Sequence, residues 1–178
     1  MSSSCRPTGT DAAGAIGCFD VVGFTAFTER YGDGAALTVL DLIDDAARVA
    51  LPVSARIVKL SGDGARIWFG QATRAVPTMI DIVDGLARGV PAVPVRAGVH
   101  YGHVVWRDED VVGRDVNVAA RLAAVARAGE VLCSATARAA TDPGAARFSA
   151  RGVTALPDID RRIHVFAAQA TSTRAASR

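Results

Sequence analysis

One aspartate interrupts an apolar run near the start of the chain, and it restricts what can fold around it. Residues 15–22 are apolar apart from Asp20, and Gly23, Phe24 and Thr25 follow them. This pattern predicts a buried strand, then a turn, then the start of a helix. A carboxylate inside a buried strand is costly unless a cationic group meets it. The free N–H groups of a helix N-terminus suit phosphate, so the stretch suggests a nucleotide–metal site.

The composition fits one globular domain and argues against several classes of partner. The chain has 178 residues, and its net charge of +2 gives no reason to expect binding to nucleic acid or to an anionic membrane. No apolar run is long enough to cross a bilayer. The isolated cysteines Cys5, Cys18 and Cys133 form neither a disulfide framework nor a metal-binding pattern. We therefore expect a soluble, cytoplasmic protein.

Hydrophobic periodicity predicts one domain at 15–168 between flexible tails at 1–14 and 169–178. The predicted helices are 35–49, 75–88, 116–128 and 134–140, and 23–31 is predicted to be a short helix or a turn. The predicted strands are 15–22, 55–60, 65–69, 95–100, 104–107, 130–133, 148–156 and 163–167. The pair 95–100 and 104–107 is expected to turn around residues 101–103. The order favours an α+β domain with a ferredoxin-like βααββαβ core, further C-terminal strands and helices, and helices on one face of the sheet.

The first predicted hairpin contains a second candidate metal-binding aspartate. Asp63 lies in a Gly-rich turn between two β-prone runs. If this hairpin lies beside the first strand, Asp20 and Asp63 converge at one edge of the sheet. Two carboxylates combined with substrate phosphates are a common way to hold Mg²⁺. The alternative is that Asp63 serves only the turn, but Asp20 in its apolar surroundings favours the metal pair.

Four other polar residues are candidates for a site. Lys59, the single lysine, precedes Asp63 on the same hairpin, and Asp110 ends an acidic stretch. Their alternative roles are an exposed strand lysine and a solvated loop acid. Asn117 and Arg121 are four residues apart, so they share one face of a helix whose other two faces are apolar. Such a helix is expected to pack against its own sheet and against a second surface.

Residues 19–25, 59–64 and 110–121, together with the connecting segment 95–102, resemble the class III nucleotidyl cyclase catalytic domain. The resemblance extends from about residue 15 to residue 168. Three motifs in order, at fitting separations, are far more specific than any one of them alone. The resemblance implies these roles: Asp20 and Asp63 bind two divalent metal ions (Mg²⁺ or Mn²⁺), Lys59 and Asp110 select the base, Asn117 and Arg121 stabilise the transition state, and the backbone of Val22, Gly23, Phe24 and Thr25 holds phosphates.

The resemblance also implies a homodimer. Members of the family place the metals on one subunit and take the base-selecting and transition-state residues from the other. All six side chains are present in this one chain, so two copies would form two complete sites. Such a dimer would also account for the second apolar face of the 116–128 helix.

The predicted substrate is ATP, because Lys59 can donate to adenine N1 and Asp110 can accept from the N6 amine. Guanine would leave these groups unpaired, at a cost of about 1–3 kcal/mol for each group. The predicted activity is therefore that of an adenylate cyclase. The alternatives are a guanylate cyclase and a non-catalytic nucleotide-binding domain. A diguanylate cyclase is disfavoured, because its Gly-Gly-acidic-acidic-Phe signature is absent.

Two further groups of residues complete the predictions. The family usually has a basic residue near the C-terminal strand that contacts the terminal phosphates. Arg161 and Arg162 are both candidates for this role. His100, His103 and His164 are expected to be structural or exposed.

Overall fold

The computed structural model describes residues 8–171. Its strands are β1 (Asp11–Val21), β2 (Ala55–Leu60), β3 (Gly64–Phe69), β4 (Val95–Arg107), β5 (Asp110–Val112), β6 (Val131–Ser134), β7 (Arg147–Ala155) and β8 (Arg162–Gln169). Its α-helices are α1 (Phe24–Ala50), α2 (Ala75–Arg88), α3 (Arg114–Val125) and α4 (Ala135–Ala140), with a 3₁₀ turn at Ala72–Arg74. The strands form one sheet in the order β2-β3-β1-β4-β6-β8-β7, and β5 pairs with β4. The predicted single α+β domain is confirmed.

Strand β1 lies in the centre of the sheet and contributes apolar side chains to the cores on both faces of the sheet. It is antiparallel to β3 on one side and to β4 on the other. Its Phe19 and Val21 pack with α1 and α2, whereas Ile16 and Cys18 pack on the opposite side. The alternation of a strand therefore divides the apolar residues between two cores.

The face that carries α1, α2 and α4 matches the predicted periodicity well. The predicted helix at 75–88 is confirmed as α2, with Met79, Ile82 and Leu86 buried. The short helix or turn predicted at 23–31 and the helix predicted at 35–49 form one merged helix, α1. Gly32 has non-helical dihedral angles (φ 79°, ψ 170°), so the predicted glycine break survives as a kink.

Helix α3 packs on the opposite face of the sheet, so the prediction of helices on one face was wrong. Val116 and Ala123 join a core with Trp106, whereas Val118 and Leu122 join a second core with residues of β6 and β8. Both apolar faces of α3 are thus buried within its own chain. The pattern does not require a partner subunit, because the sequence cannot distinguish burial within a chain from burial between chains.

Strand β4 is continuous, and the hairpin predicted within it was wrong. It pairs with β1 from Asp11, opposite Val105, to Val21, opposite Val95. Gly102 was expected to turn the chain, but it lies inside this strand. A Cβ atom at Gly102 would come within 2.1 Å of the Asp115 carboxylate, so the position lacks a side chain because a neighbour approaches closely.

The same pairing corrects the predicted start of the domain. Residues 11–14 were expected in a tail but extend β1 along the far half of β4. Their small residues give a weak strand signal that tertiary pairing overrides. At the other end, Gln169 completes β8 instead of starting a tail. The remaining tail predictions at residues 1–7 and 172–178 lie outside the described residues. Between residues 8 and 171, no helix has the length and apolar character needed to cross a bilayer.

Candidate functional site

The two predicted metal-binding aspartates lie at the same end of adjacent strands. Asp20 is opposite Gly64 in the pairing of β1 with β3, and the Val21 N–H donates to the Asp63 carbonyl at 2.9 Å. This close approach requires glycine, since a Cβ atom at Gly64 would lie 2.2 Å from the Phe19 carbonyl oxygen. The hairpin thus lies beside the first strand, which is the condition for the two aspartates to converge at one edge.

A cation meets the Asp20 carboxylate, and it is the side chain of Arg96 on β4. The Arg96 Nε donates to Asp20 Oδ1 at 2.6 Å, and its Nη2 donates to Oδ2 at 3.3 Å. The Nη1 of the same guanidinium donates to the Ala124 carbonyl at 2.6 Å, at the end of α3. The expectation that Asp20 needs a cationic partner is therefore confirmed. Arg96 itself was missed, because the pattern of one strand does not show which residue lies opposite.

The donor set of this region is compatible with a hard divalent cation. The described residues contain no group of three or more His, Cys, Asp or Glu side chains able to hold a metal ion. Asp20 and Asp63 would supply two carboxylates to such a cation, and the rest of its coordination sphere would have to come from other oxygens. Mg²⁺ is commonly held in this way, by one or two carboxylates together with substrate phosphates and water.

The turn after β1 leads directly into α1. Gly23 is in the left-handed region (φ 74°), and its carbonyl accepts the N–H of Phe27 at 3.0 Å. The N–H groups of Phe24 and Thr25 precede that bond and have no intrahelical carbonyl to bind. The Val22 N–H donates to the Pro94 carbonyl at 2.7 Å. Of the four residues predicted to hold phosphate, Val22 therefore already uses its backbone donor.

The predicted base-selecting residues lie near a third residue that sequence reasoning missed. Lys59 is exposed on β2 and is paired in register with Arg66 on β3. Arg66 Nη1 donates to Asp110 Oδ1 at 3.1 Å and to the Val111 carbonyl at 3.3 Å. No ion pair of Lys59 is found among residues 8–171. The available signal was an arginine inside the apolar strand 64–69, which is the same kind of signal that drew attention to Asp20.

Residues from both predicted groups border one cleft. Asp20, Lys59 and Arg66 line a cleft of about 240 Å³, together with Ala120 and Ala123 of α3. The cleft lies on the face of the sheet that α3 covers only in part. One chain therefore brings a metal-binding candidate and a base-selecting candidate to the same depression.

The predicted transition-state pair faces a different place. Asn117 lines a second cleft, of about 440 Å³, with Arg114 and residues 158–161. Arg121 Nη2 donates to Asp158 Oδ2 at 2.5 Å, and Asp158 lies on the rim of the same cleft. The predicted transition-state pair is thus separated, within one chain, from the cleft that Asp20 and Lys59 line.

The two candidates for a terminal-phosphate cation differ in their surroundings. Arg161 lines the second cleft, and its Nη2 donates to Asp115 Oδ1 at 2.8 Å. Arg162 begins β8 and is exposed. Arg161 therefore shares a cleft with Asn117, which makes it the better placed of the two.

A buried polar network fixes the first turn of α3. The hydroxyl of Ser134 lies 2.7 Å from His100 Nδ1, and His100 Nε2 lies 3.2 Å from Asp115 Oδ1. Burial lowers the pKa of His100, although the nearby Asp115 carboxylate opposes this shift. Burial opposes ionisation of Asp115, but hydrogen bonds from the His103 N–H and from His100, together with the charge of Arg161, hold the pKa of Asp115 below its usual value.

The hydrogen bonds of this Ser–His–Asp network resemble those of a nucleophilic triad, but the serine hydroxyl is buried and a substrate cannot reach it. Ser134 is 2% exposed, and its hydroxyl oxygen also accepts the N–H of Ala137 to cap α4. Burial raises the pKa of the Cys18 thiol to about 11 and that of the Cys133 thiol to about 12, so neither is activated. His100 is structural, as predicted, and His103 and His164 are exposed.

The sequence has curated relatives that are longer than this chain, and no protein-family model matches it. It is 34% identical over 124 residues to an uncharacterized protein of Mycobacterium tuberculosis, covering 69% of this chain and 33% of the relative. It is 29% identical over 114 residues to an adenylate cyclase of Streptomyces griseus, covering 64% of this chain and 29% of that protein. The chain thus spans about a third of the length of these relatives.

The fold is shared with solved cyclase structures. The adenylyl cyclase CyaB from P. aeruginosa is 21% identical with a TM-score of 0.78, covering 91% of this chain and 97% of that chain. The guanylyl cyclase Cya2 is 20% identical with a TM-score of 0.77, covering 93% and 96%. An adenylate/guanylate cyclase/hydrolase from Silicibacter pomeroyi is 26% identical with a TM-score of 0.76, covering 92% and 99%. The predicted resemblance to the nucleotidyl cyclase catalytic domain is confirmed.

Proposed function

We propose that this chain, which has the fold and the sequence motifs of the class III nucleotidyl cyclase catalytic domain, is an adenylate cyclase that converts ATP to 3′,5′-cyclic AMP and pyrophosphate. The observation that carries the proposal is the position of Asp20 and Asp63 at one end of two adjacent strands. Helix α1 begins four residues after Asp20. Two carboxylates beside an open helix N-terminus form a site suited to a metal-bound triphosphate.

The choice of ATP rests on Lys59, which borders the first cleft, and on Asp110, which is bound by Arg66 of the same cleft. Lys59 is exposed there and can donate to adenine N1, and Asp110 presents a carboxylate that can accept from the N6 amine. Guanine reverses both functions at the corresponding atoms, so it would leave a donor and an acceptor unpaired. The relatives include adenylyl and guanylyl cyclases, so this pairing is the specific argument for adenine.

The proposed reaction is attack of the ribose 3′-oxygen on the α-phosphorus, with pyrophosphate as the leaving group. A new bond forms between the 3′-oxygen and phosphorus as the bond from phosphorus to the bridging oxygen breaks, and the hydroxyl proton is lost to solvent. Arg121 would stabilise charge that develops on the α-phosphate, and Asn117 would orient the ribose. Phosphoryl transfer depends mainly on positioning and charge, so a nucleophilic side chain is not required.

Asp20 and Asp63 would hold two divalent cations, Mg²⁺ or Mn²⁺. At such a site the ions neutralise phosphate charge and lower the pKa of a bound hydroxyl. Arg96 must then release the Asp20 carboxylate, at least in part, when a metal binds. The N–H groups of Phe24 and Thr25 would donate hydrogen bonds to the phosphate oxygens.

A homodimer is part of the proposal, because within one chain Asn117 and Arg121 lie at a different cleft from the one that Asp20 lines. Lys59, Asp110, Asn117 and Arg121 of one copy would complete the site that Asp20 and Asp63 of the other copy begin. The buried faces of α3 do not contribute to this argument, since they are already covered within the chain.

The test is to incubate the purified protein with ATP and Mn²⁺ or Mg²⁺ and to quantify cyclic AMP and pyrophosphate. We expect both products in equal amounts, with GTP a much poorer substrate. Absence of cyclic AMP at high protein concentration would contradict the proposal. Formation of cyclic GMP in preference to cyclic AMP would instead support a guanylate cyclase, and nucleotide binding without product would support a non-catalytic domain.

A further inference from the structure

Arg66 occupies the position between the two residues that are proposed to select the base. On one side it is the cross-strand neighbour of Lys59. On the other side its Nη1 contacts both oxygens of Asp110, at 3.1 Å for Oδ1 and 3.4 Å for Oδ2. Its side chain is 23% exposed and lines the same cleft as Lys59 and Asp20. The proposed function assigns it no role.

The two oxygens of Asp110 are not equivalent in this arrangement. Oδ1 accepts the N–H of Val111 at 2.7 Å and the Nη1 of Arg66 at 3.1 Å. Among residues 8–171, Oδ2 has only the longer contact to Arg66. Because Oδ1 is already occupied by two donors, Oδ2 retains the capacity to accept a further hydrogen bond.

The same guanidinium also holds the backbone that carries Asp110. Its Nη1 lies 3.3 Å from the carbonyl of Val111 in β5. Strand β5 is three residues long and pairs only with β4 in the sheet, at Arg107, Trp106 and Val105. Arg66 on β3 therefore connects Asp110 and the backbone of β5 to the strand pair that carries Lys59.

We propose that Arg66 is a positioning residue for base selection, which holds Asp110 with its Oδ2 directed to the exocyclic amine of adenine. This inference rests on the proposed function and adds a residue to it. A fixed carboxylate loses less rotational freedom on binding than a mobile one, so the position of Asp110 is settled before ATP arrives. Arg66 would not contact the base itself. It acts by fixing the geometry of the residue that does.

The experiment compares two nucleotides that differ only in the group that Asp110 reads. Purine riboside triphosphate lacks the N6 amine of ATP but keeps the N1 acceptor for Lys59. The measured quantities are kcat and KM for both nucleotides, and the Kd of a non-hydrolysable analogue of each. Arg66→Met keeps the length of the side chain and removes its hydrogen bonds to Asp110.

We expect Arg66→Met to reduce kcat/KM for ATP by about tenfold, mainly through KM, which corresponds to about 1.4 kcal/mol. The value for purine riboside triphosphate should change less than about twofold, since that nucleotide makes no use of Asp110. A second variant, Arg66→Gln, keeps an amide donor and should show a smaller loss in the same direction. Arg88→Met removes an exposed arginine on α2 that pairs with Asp84, and it should leave kcat/KM unchanged for both nucleotides.

A merely structural role would give a different result. If Arg66 only supports the fold, both variants should lower kcat/KM equally for the two nucleotides. This outcome would overturn the inference. Unchanged kinetics for ATP would overturn it as well. If Arg66→Met is too unstable to assay, the same comparison with Arg66→Gln decides.

The Asp110→Ala variant separates this inference from the proposed function. If it leaves the preference for ATP over purine riboside triphosphate intact, the proposed base selection itself is wrong. If Asp110→Ala abolishes the preference and the Arg66 variants do not, only the role of Arg66 is wrong. If both abolish it, adding Arg66→Met to Asp110→Ala should have no further effect on the preference.

Discussion

Arg96 and Asp20 face each other across β4 and β1, and two hydrogen bonds join the guanidinium to the carboxylate. The third nitrogen of Arg96 binds the Ala124 carbonyl. One side chain thus links the central strand, its neighbour and the end of α3. Asp20 is therefore a structural partner as well as the proposed metal ligand, and its substitutions must be designed with both roles in mind.

Asp20→Asn should abolish cyclic AMP formation while the fold persists. The amide keeps an oxygen that can accept from Arg96 but removes the negative charge that a divalent cation requires. Asp20→Ala should also be inactive, and in addition it should lower the free energy of unfolding by about 1–3 kcal/mol, because Arg96 loses its partner. Turnover is measured with ATP and Mn²⁺, and stability by urea denaturation. Asp41→Asn, on the exposed side of α1, is the control; substantial activity of Asp20→Asn would exclude the metal role.

Mixing two inactive variants should restore activity if the sites are shared between subunits. Asp20→Asn lacks the proposed metal ligand, and Arg121→Ala lacks the proposed transition-state cation. A heterodimer of the two would contain one intact site, so up to about one quarter of the wild-type activity is expected from an equal mixture when subunits exchange freely. Heterodimers that form, as seen with differently tagged subunits, but remain inactive would show that each site belongs to one chain.

Stability should fall as the pH is lowered through the range where His100 takes up a proton. In the unfolded chain, histidine titrates near pH 6.5, whereas in the folded protein burial lowers the pKa of His100. The unfolded state therefore binds more protons in this range, and the free energy of unfolding decreases as the pH falls from about 6.5. The lowered pKa of Asp115 adds a further loss in more acidic solution, below its usual value of 3.8.

The measurement is urea denaturation at several pH values for the wild type and for His100→Gln. The variant should lose the part of the pH dependence between about pH 5 and pH 7, because it has no imidazole to protonate. His164→Gln removes an exposed histidine on β8 and serves as the control. A pH profile of His100→Gln that is identical to that of the wild type would assign the dependence to other groups.

Gly98→Ala should displace α3 and inactivate the protein. A Cβ atom at Gly98 would lie 2.2 Å from the Ala123 nitrogen and 2.4 Å from the Ala119 carbonyl oxygen, both in the backbone of α3. We expect a loss of at least about 1–3 kcal/mol in the free energy of unfolding, as for other overpacked cores. Activity should fall with it, since α3 carries Arg121.

The matched control is Gly85→Ala in α2, where a Cβ atom meets nothing within 4 Å. There the same change should stabilise the protein by about 0.4–1 kcal/mol, because alanine loses less backbone entropy on folding. Thermal denaturation of both variants checks the contrast. Equal stability of the two would mean that α3 adjusts its distance from β4 at little cost.

Hydrophobic periodicity and turn residues correctly predicted the elements whose structure depends on neighbouring residues in the sequence. Helix α2 has the predicted bounds, and the first hairpin differs from its prediction only by the inclusion of Gly64 in a strand. Helix α2 is one uninterrupted element, and the Gly-rich turn determines where the two strands of the hairpin end. Gly102 was misjudged because a glycine that makes room for Asp115 and a glycine that makes a turn look the same in a sequence.

The partners of charged residues could not be predicted in this way. Asp20 was expected to meet a cation, but Arg96 lies 76 positions away along the chain. Likewise Arg66 and Asp110 are brought together by two strands that do not pair with each other. Contacts of this kind depend on the order of strands in the sheet, which hydrophobic periodicity does not determine.

Alternate residues of β4 perform four separate tasks on the face that α3 covers. Arg96 binds Asp20, Gly98 admits the backbone of α3, His100 binds Asp115, and Gly102 makes room for the same carboxylate. Side chains of a strand alternate between its two faces. One residue inserted within 96–102 would therefore move some of these four residues to the other face of the sheet. Two inserted residues would return them to the original face, but shifted along the strand. The parity of the length of β4 is therefore a constraint on this protein, separate from the identity of any of its residues.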